Sequence, residues 1–435
     1  MLRLNSAFKT FARELRFIAR RRWRKRQLKT TFCINFFSQA STKTNGLFRP
    51  CCHFVGVIKD ENEKPFHAAT HSIKDYFFSN ALKEIRRKAL NKEPIAGCEN
   101  CYEIEKATQQ SKRIRDNDRY HEIWKEIRKK PERAEIKMLD LRLGNDCNLG
   151  CVSCIPALSS KLEQLWGKHG AIHFTDDPML TKPVKSKEVS IPWYNQINLV
   201  EQINELQNDL SYLAYVGGEP LINDTNFDIL ESLEGKGKKL NLHVTSNLMA
   251  LTDEKLRTLE KFNTQINCSL DGVNETIEYI RFPAKFWVIE KNLRKILNSS
   301  VNVQIIFTVS VLNLFHIVEA YRVYRKIHDD CGRGLNLTVG NFVIKPGHLA
   351  VKNLPKELKQ QALTQLEPLY HEIKRDETQA VFSASLLSLI KYLHNTEGDV
   401  DIIKSGWRFV KKYDEIRGNN WKECAPWMGE VLNEL

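Results

Sequence analysis

The chain is 435 residues long, and 42% of its residues are hydrophobic and 27% are charged, a composition typical of a folded globular protein. It contains no run of about 18 or more consecutive apolar residues, so no transmembrane helix is expected, and its basic start lacks the apolar stretch of a secretion signal. We therefore expect a cytoplasmic protein. The eleven cysteines, an odd number, argue against a disulfide framework and favour thiol chemistry or metal binding.

The net charge of +13 is concentrated at the start of the chain. Residues 1–30 hold eleven Lys or Arg and one acidic residue, Glu14. Such an arm is typical of segments that bind nucleic acid, an anionic membrane face or an acidic partner. A solvated extension without a binding role, or a start codon placed too early, accounts for the same composition, and the sequence leaves these alternatives open.

Four regions follow from composition and pattern. They are a basic N-terminal arm at 1–30, a cysteine-rich region with helical patterns at 31–130, a strand–helix core at 131–350 and a C-terminal helical extension at 351–435. In the second region the helical patterns cover 72–92 and 100–129, and in the core the segment 167–205 reads as an insertion.

The core alternates apolar, β-branched runs with amphipathic stretches. The predicted strands are Ile136–Leu143, Leu213–Val216, Leu240–Thr245, Gln265–Leu270, Val303–Val309 and Leu335–Val343. The predicted helices between them are Ser160–Trp166, Phe227–Leu233, Asp253–Phe262, Phe286–Leu297 and Ile317–His328. Repeated strand–helix units require a parallel sheet covered by outer helices, so we expect an α/β fold with a partial (β/α)6 barrel.

Three cysteines follow the first predicted strand at the spacing C-x3-C-x2-C: Cys147, Cys151 and Cys154. In βα barrels the carboxyl ends of the strands carry the chemistry, so this loop is a candidate active site. Thiolates are soft ligands that suit an iron–sulfur cluster or zinc. Three ligands on a four-iron cube leave one iron open, as in a catalytic site, whereas a zinc site would need a fourth ligand from His or Asp.

This spacing after a first strand resembles the signature of the radical S-adenosylmethionine (SAM) superfamily. The resemblance implies a [4Fe–4S] cluster whose open iron binds the amino and carboxylate groups of SAM. It further implies reductive cleavage of SAM to methionine and a 5′-deoxyadenosyl radical, which abstracts a substrate hydrogen. An electron donor such as flavodoxin or ferredoxin is then an expected partner.

Later segments resemble the SAM-binding motifs of the same superfamily, in the expected order. The second predicted strand ends in Gly217, Gly218, Glu219 and Pro220, which are similar to the motif that contacts the SAM amino group. Glycines let the backbone approach closely, and the Glu219 carboxylate is an acceptor for an ammonium. The resemblance assigns further SAM contacts to residues at the ends of the next three strands, namely Ser246, Asn247, Ser269, Asp271, Arg281, Ser310 and Asn313. Among these, Arg281 suits the SAM carboxylate, because guanidinium pairs with a carboxylate through two hydrogen bonds.

A second set of cysteines precedes the core and comprises Cys33, Cys51, Cys98 and Cys101. With Gly46, their order is C-x12-G-x4-C…C-x2-C, which resembles the auxiliary-cluster region of SPASM and twitch domains, although those usually follow the barrel. The resemblance implies a second, fully ligated [4Fe–4S] cluster. Cys52 adjoins Cys51 and is an alternative ligand, and a structural zinc site would use the same four thiolates.

Three functional hypotheses remain at this point. The resemblance to SPASM and twitch proteins implies a radical SAM enzyme that modifies a peptide or protein side chain. Modification of a nucleic acid or nucleotide is the second hypothesis, supported by the basic arm alone. The third is a zinc-containing nucleic-acid-binding protein without catalysis, which leaves Gly217–Pro220 and the six strand–helix units unexplained.

Overall fold

The computed structural model describes residues 22–108, 111–168, 192–195 and 197–433. Most of the predicted basic arm and much of the predicted insertion lie outside the described residues. The chain forms two compact units, Met1–Leu141 with Trp193–Tyr212, and Arg142–Pro192 with Leu213–Leu435. None of the described helices is both long and apolar enough to cross a membrane.

Three strands lie in the described part of the first unit. The strand β1 (Gln39–Thr42) pairs antiparallel with β2 (Phe48–Arg49) and parallel with β3 (Met138–Leu141), which lies inside the first predicted strand. The sequence did not predict β1 or β2. All four residues of β1 are buried although three are polar, so the strand lacks the apolar alternation by which strands are recognised.

Short helices make up most of the remainder of the first unit. Their bounds are Asn35–Ser38, Ile73–Phe77, Asn80–Leu90, Glu99–Thr108, Lys112–Arg119, His121–Lys129 and Leu199–Asn204, with a further helical stretch at 22–27. The helical patterns predicted at 72–92 and 100–129 are therefore divided. Ser79 and Ser111 each cap a new helix by accepting a hydrogen bond from a backbone N–H, which explains why helices begin after these serines.

A buried arginine fixes the segment next to Cys33. Arg86 donates hydrogen bonds to the carbonyl oxygens of Phe36 (2.7 Å) and Phe77 (2.6 Å), and its guanidinium lies 4.4 Å from the centre of the Phe77 ring. The backbone N–H of Ile34 donates to the Asn117 side chain at 2.8 Å. These contacts tie the short helix Asn35–Ser38 to two other helices of the same unit.

The second unit contains β4 (Tyr212–Tyr215, which begins at the last residue of the first unit), β5 (Asn241–Ser246), β6 (Asn263–Ser269), β7 (Asn302–Val309) and β8 (Leu337–Phe342). They lie in the order β4-β5-β6-β7-β8, and the pairs β5–β6, β6–β7 and β7–β8 are parallel. Every second residue of β7 is buried, the alternation expected where one side chain in two faces the core. These strands confirm the last five predicted strands to within a few residues.

Helices follow the strands of the second unit, and further helices form its C-terminal part. Their bounds are Ser160–Lys168, Asp224–Ser232, Asp253–Glu260, Asn274–Ile280, Phe286–Leu297, Ile317–Asp330, Lys356–Ile373, Ala380–Asn395, Val400–Arg417, Trp421–Cys424 and Met428–Leu432. The helix Asn274–Ile280 was not predicted, because its seven residues are too few to show a helical period. The predicted fold class is confirmed: a mixed α/β fold with parallel strands and a helical C-terminal region, consistent with a partial barrel.

Candidate active site

The three cysteines of the C-x3-C-x2-C motif share one cavity of about 330 Å³ in the second unit. This volume lies in the range of small-molecule sites. The cavity is lined by Cys147, Leu149, Cys151, Ser153, Cys154, Ile155, Leu158, Gly217, Gly218, Glu219, Thr245, Ser246, Asn247, Ser269, Arg281 and Lys345. Ten of the predicted site residues are thus brought together by the carboxyl ends of successive strands.

Backbone hydrogen bonds hold the cysteine loop on one side. The N–H of Gly150 donates to the carbonyl of Phe282 (2.6 Å), and the N–H of Val152 donates to the carbonyl of Ile280 (2.9 Å). The Tyr413 hydroxyl donates to the carbonyl of Gly150 at 2.5 Å. A Cβ atom at Gly150 would lie 2.7 Å from that hydroxyl oxygen, so the position has no space for a side chain. The loop is therefore fixed before any cofactor binds.

The Gly-Gly-Glu-Pro segment packs against the other side of the loop. The backbone N–H of Glu219 donates to the carbonyl of Asp146 at 2.7 Å. Gly218 has a φ of +54°, and a Cβ atom there would lie 2.3 Å from the Asp146 carbonyl oxygen. Both the backbone conformation and the close approach require glycine at this position. The glycine motif therefore places the end of β4 against the residue that precedes Cys147.

The Glu219 carboxylate is buried, with 2% of the residue exposed, and accepts three hydrogen bonds. Oε1 accepts from the Ser246 hydroxyl (2.7 Å) and the Leu221 N–H (3.1 Å), and Oε2 accepts from the Asn247 N–H (2.7 Å). Burial raises the pKa of the carboxyl, and the bonds from Asn247 and Ser246 oppose that rise. A carboxylate offers roughly four acceptor positions, so about one remains for the predicted SAM ammonium.

A side-chain pair joins the loop after β5 to the cysteine loop. Nδ2 of Asn247 donates to Oδ1 of Asn148 at 2.9 Å, and Oδ1 of Asn247 accepts from the backbone N–H of Met249 at 2.9 Å. Asn247 therefore connects Glu219 with the residue next to Cys147. A chain of hydrogen bonds fixes three loops relative to one another around the cavity.

The thiols of the site are desolvated. Burial raises the pKa of Cys147 and of Cys154 to about 12 each. Burial also raises the pKa of Cys151, and the nearby Arg281 guanidinium opposes the rise. These thiols are protonated near neutral pH in the metal-free protein, so binding of a cluster must release protons.

Arg281 lies between an acid and a cysteine. Its Nη2 is 2.6 Å from Oδ2 of Asp271, and its Nη1 is 4.0 Å from Sγ of Cys151. Oδ1 of Asp271 accepts a hydrogen bond from the backbone N–H of Thr308 at 2.8 Å. The arginine predicted to hold the SAM carboxylate is therefore also paired with a protein carboxylate.

Four predicted SAM contacts are not among the residues that line the cavity: Pro220, Asp271, Ser310 and Asn313. Oδ1 of Asn313 accepts from the Ser310 N–H at 2.7 Å, and Nδ2 of Asn313 donates to the Asp271 carbonyl at 2.9 Å. All four residues are buried. Polar residues at strand ends here bond one another behind the cavity, and their predicted contact with SAM stays a prediction.

Sequence reasoning missed Lys345, an exposed lysine that lines the cavity. It lies just after β8 and precedes Pro346 through a cis peptide bond. The signal available in the sequence was its position, since it follows the last predicted strand as the other site residues follow theirs. Its ammonium adds a second cationic side chain to the cavity.

The second cysteine set lies within the first unit: Cys33, Cys51 and Cys98 lie in loops, and Cys101 lies in the first turn of the helix Glu99–Thr108. The backbone N–H of Val55 donates to the carbonyl of Gly97 at 2.8 Å. Gly97 has a φ of +93°, and a Cβ atom there would lie 2.4 Å from the Val55 carbonyl oxygen. The segment after Cys51 is therefore packed against the residue that precedes Cys98.

The four predicted auxiliary ligands lie close enough for ionisation of one to shift the pKa of another. Burial and then the Cys51 thiol raise the pKa of Cys33 and that of Cys98. Burial and then the neighbouring Cys52, with Cys101 as a further contributor, raise the pKa of Cys51 to about 12. Cys51 thus lies near each of the other three predicted ligands.

Within the described residues, no group of three or more Cys, His, Asp or Glu side chains could hold a metal ion as the side chains stand. This finding concerns single ions, and the cysteines around a four-iron cube stand further apart. The donor chemistry fits a [4Fe–4S] cluster at the cavity, because three soft thiols face one space. Among the lining residues, Nε of Arg281 is buried and has no hydrogen-bond partner in the described part of the chain.

Several solved structures match part of this chain at low identity. Native anSMEcpe with bound AdoMet, another name for SAM, is 16% identical, with a TM-score of 0.36, over 54% of this chain and 61% of that chain. The same protein with bound AdoMet and Kp18Cys peptide is 16% identical to this chain, with a TM-score of 0.36, and the match covers 54% of this chain and 60% of that chain. Streptococcus suis SuiB bound to precursor peptide SuiA is 12% identical to this chain, with a TM-score of 0.34, and the match covers 60% of this chain and 52% of that chain. The matched parts thus cover less than two thirds of those chains.

The family comparison concerns the region that holds the cavity. Curated proteins gave no significant match to this chain. Residues 141–323, which include all three cysteines of the C-x3-C-x2-C motif and the strands β4–β7, match the family model of the Radical SAM superfamily. This match supports the prediction of a radical SAM domain in this part of the chain.

Proposed function

We propose that the chain binds a [4Fe–4S] cluster through Cys147, Cys151 and Cys154 and cleaves SAM reductively. The observation that carries the proposal is the single cavity that these cysteines share with Gly217, Gly218 and Glu219. The family match over 141–323 supports the same conclusion. A cluster held by these three cysteines would supply the electron, received from a ferredoxin or flavodoxin, for reductive cleavage of SAM to methionine and a 5′-deoxyadenosyl radical that would abstract a substrate hydrogen.

The chain's own residues prepare the site for this chemistry. Hydrogen bonds from Gly150 and Tyr413 hold the cysteine loop, and Gly218 places the end of β4 beside it. With three cysteine ligands, one iron of a cube has no protein ligand and stays open for SAM. Glu219 and Arg281, which line the cavity, supply the negative and positive charge that the SAM ammonium and carboxylate require.

The substrate that we propose is a peptide or protein side chain, and a second [4Fe–4S] cluster at Cys33, Cys51, Cys98 and Cys101 assists the reaction. The support is the cysteine order C-x12-G-x4-C…C-x2-C and the mutual interaction of these thiols in the first unit. Such a cluster would accept an electron from a substrate radical or anchor the substrate.

Metal content after anaerobic purification tests the cluster sites. Two cubes give about eight iron and eight sulfide per chain, and the Cys147/Cys151/Cys154→Ala variant should keep about half. Cys331→Ala, a cysteine outside both sets, is the matched control and should keep all of the iron. A colourless protein with stoichiometric zinc would favour the zinc-binding hypothesis and contradict the proposal.

Hydrogen transfer tests the substrate class. A short peptide encoded next to this gene, prepared with deuterated side chains, should give deuterated 5′-deoxyadenosine when it is incubated with the reduced enzyme and SAM. Deuterium from a labelled oligonucleotide, and none from the peptide, would replace peptide modification with nucleic-acid modification.

A further inference from the structure

The guanidinium of Arg281 stands between two groups that carry negative charge in a loaded site. It lies 2.6 Å from the Asp271 carboxylate and 4.0 Å from Sγ of Cys151. The Arg281 side chain is 13% exposed and the Asp271 side chain 3% exposed, so solvent screens both charges weakly. In the described part of the chain, Nε of Arg281 is buried and has no hydrogen-bond partner.

The opposing carboxylate is held in place by the backbone. Oδ1 of Asp271 accepts from the Thr308 N–H at 2.8 Å, and the Asp271 carbonyl accepts from Asn313 at 2.9 Å. Both charges are therefore fixed beside Cys151 before a cluster binds.

We propose that the Arg281–Asp271 pair sets the reduction potential of the cluster at Cys151. In this pair Arg281 is a positioning residue whose charge favours the reduced form, and Asp271 opposes it. The inference rests on the proposed function, because it requires the cluster. It adds to the predicted role of Arg281 as a ligand of the SAM carboxylate.

The physical reason is charge balance. A one-electron donor of the ferredoxin or flavodoxin class converts the [4Fe–4S]²⁺ core to [4Fe–4S]⁺ without making or breaking a bond, so the cluster becomes more negative by one charge. A fixed cation beside one ligand stabilises that product, and a fixed anion destabilises it. Removal of Asp271 and removal of Arg281 should therefore shift the potential in opposite directions.

A redox titration of the full-length, reconstituted protein, followed by EPR without SAM, tests this inference. The signal of interest is the one that changes when SAM is added to a parallel sample. Asp271→Asn should raise the reduced-to-oxidised ratio at fixed potential about tenfold, or 59 mV for a one-electron couple, and Arg281→Gln should lower it similarly. Arg281→Lys and the double variant Arg281→Gln/Asp271→Asn should stay near the wild-type value.

The exposed pair Arg294–Asp330, joined at 3.1 Å, provides the matched control. Arg294→Gln and Asp330→Asn should leave the potential unchanged. Shifts of the same sign in both site variants, or shifts no larger than the control, would overturn the inference. If Arg281→Gln does not fold, the comparison of Asp271→Asn with Arg281→Lys still tests the inference. Asp271→Asn should shift the reduction potential, and Arg281→Lys should not. A protein whose clusters never respond to SAM would overturn the proposed function itself.

Discussion

The backbone N–H of Asn247 donates a 2.7 Å hydrogen bond to Oε2 of Glu219, across 28 residues of sequence. The side chain of Asn247 bonds Asn148, next to the first cluster cysteine. Glu219 thus helps to position the loop after β5, and Asn247 in that loop bonds the cysteine loop. Its carboxylate has both a structural task, which the contacts define, and the predicted task of binding SAM.

Glu219→Gln separates these two tasks. The amide keeps one acceptor oxygen, so one of the donors now on the carboxylate faces an NH2 group, and unfolding should become easier by about 1–3 kcal/mol. SAM affinity, measured by calorimetry, should also fall by about 1.5–3 kcal/mol, the range for a hydrogen bond to a charged group, while cluster content stays normal. Glu254→Gln, at an exposed helical position, is the control. Reduced stability with unchanged SAM affinity would place the ammonium site elsewhere.

Gly218→Ala tests the contact between the glycine motif and the cysteine loop. The added Cβ would meet the Asp146 carbonyl oxygen at 2.3 Å on a backbone with a φ of +54°, so the loop must move. We expect a loss of about 1–3 kcal/mol in stability and weaker SAM binding. Gly235→Ala, where a Cβ meets nothing within 4 Å, is the matched control. Equal behaviour of the two variants in unfolding and SAM-binding measurements would contradict the packing argument.

Cys51 and Cys52 should differ in their effect on the auxiliary cluster. Cys51 is buried and interacts with the thiols of Cys33, Cys98 and Cys101, whereas Cys52 is partly exposed. In a chain without the three motif cysteines, Cys51→Ala should remove the remaining iron and Cys52→Ala should keep it. The measurement is iron and sulfide content, together with the EPR signal after reduction. Retention of iron in Cys51→Ala and its loss in Cys52→Ala would reverse the assignment.

The end of the basic arm belongs to the first unit. Gln27 is 3% exposed, its carbonyl accepts from Arg113 at 3.2 Å, and its side chain accepts from Asn117 at 3.0 Å. A chain that starts at Arg22 should therefore keep its iron and its SAM cleavage. A chain that starts at Thr31 loses the hydrogen bonds to Gln27 and should lose about 1–3 kcal/mol of stability, although Phe32 and Glu105 still accept from the same side chains. Equal stability of the two chains in denaturant would show that these contacts contribute little.

The same truncation tests a polyanion-binding role for the arm. Binding of the full-length chain to duplex DNA should fall steeply with salt, because neutralised phosphates release counterions. The chain that starts at Arg22 should bind more weakly and with a smaller salt dependence, since residues 1–21 contribute six Lys or Arg. Unchanged binding after truncation would exclude the arm as the nucleic-acid contact.

The periodicity of apolar residues in the sequence was enough to predict the helices and strands that bury one face. The helix Phe286–Leu297 has the predicted bounds, and β7 differs from its prediction by one residue, because both alternate apolar and polar side chains at the period of their structure. The strand β1 escaped prediction because Gln39, Ser41 and Thr42 are polar yet buried. Burial of polar residues depends on tertiary partners, which local pattern does not reveal.

The sequence predicted the part of the candidate site that depends on which motif follows which strand. The cysteines and the glycine motif follow strands whose ends meet at one edge, so their convergence on one cavity was expected. The sequence did not determine which of the polar residues at the strand ends face the cavity. Asn313 bonds Asp271 and Ser310 instead of facing it, and Lys345 lines it from a position after β8 that carried no motif.

Formation of 5′-deoxyadenosine from SAM tests the central claim most directly. The anaerobically reconstituted, full-length protein should release 5′-deoxyadenosine and methionine when it is reduced with dithionite, and the Cys147/Cys151/Cys154→Ala variant should release neither, because no thiolate set then remains at the cavity. Cys331→Ala should match the wild-type protein. Cleavage of SAM that survives in the triple variant, or its absence from a wild-type protein with full iron content, would contradict the account.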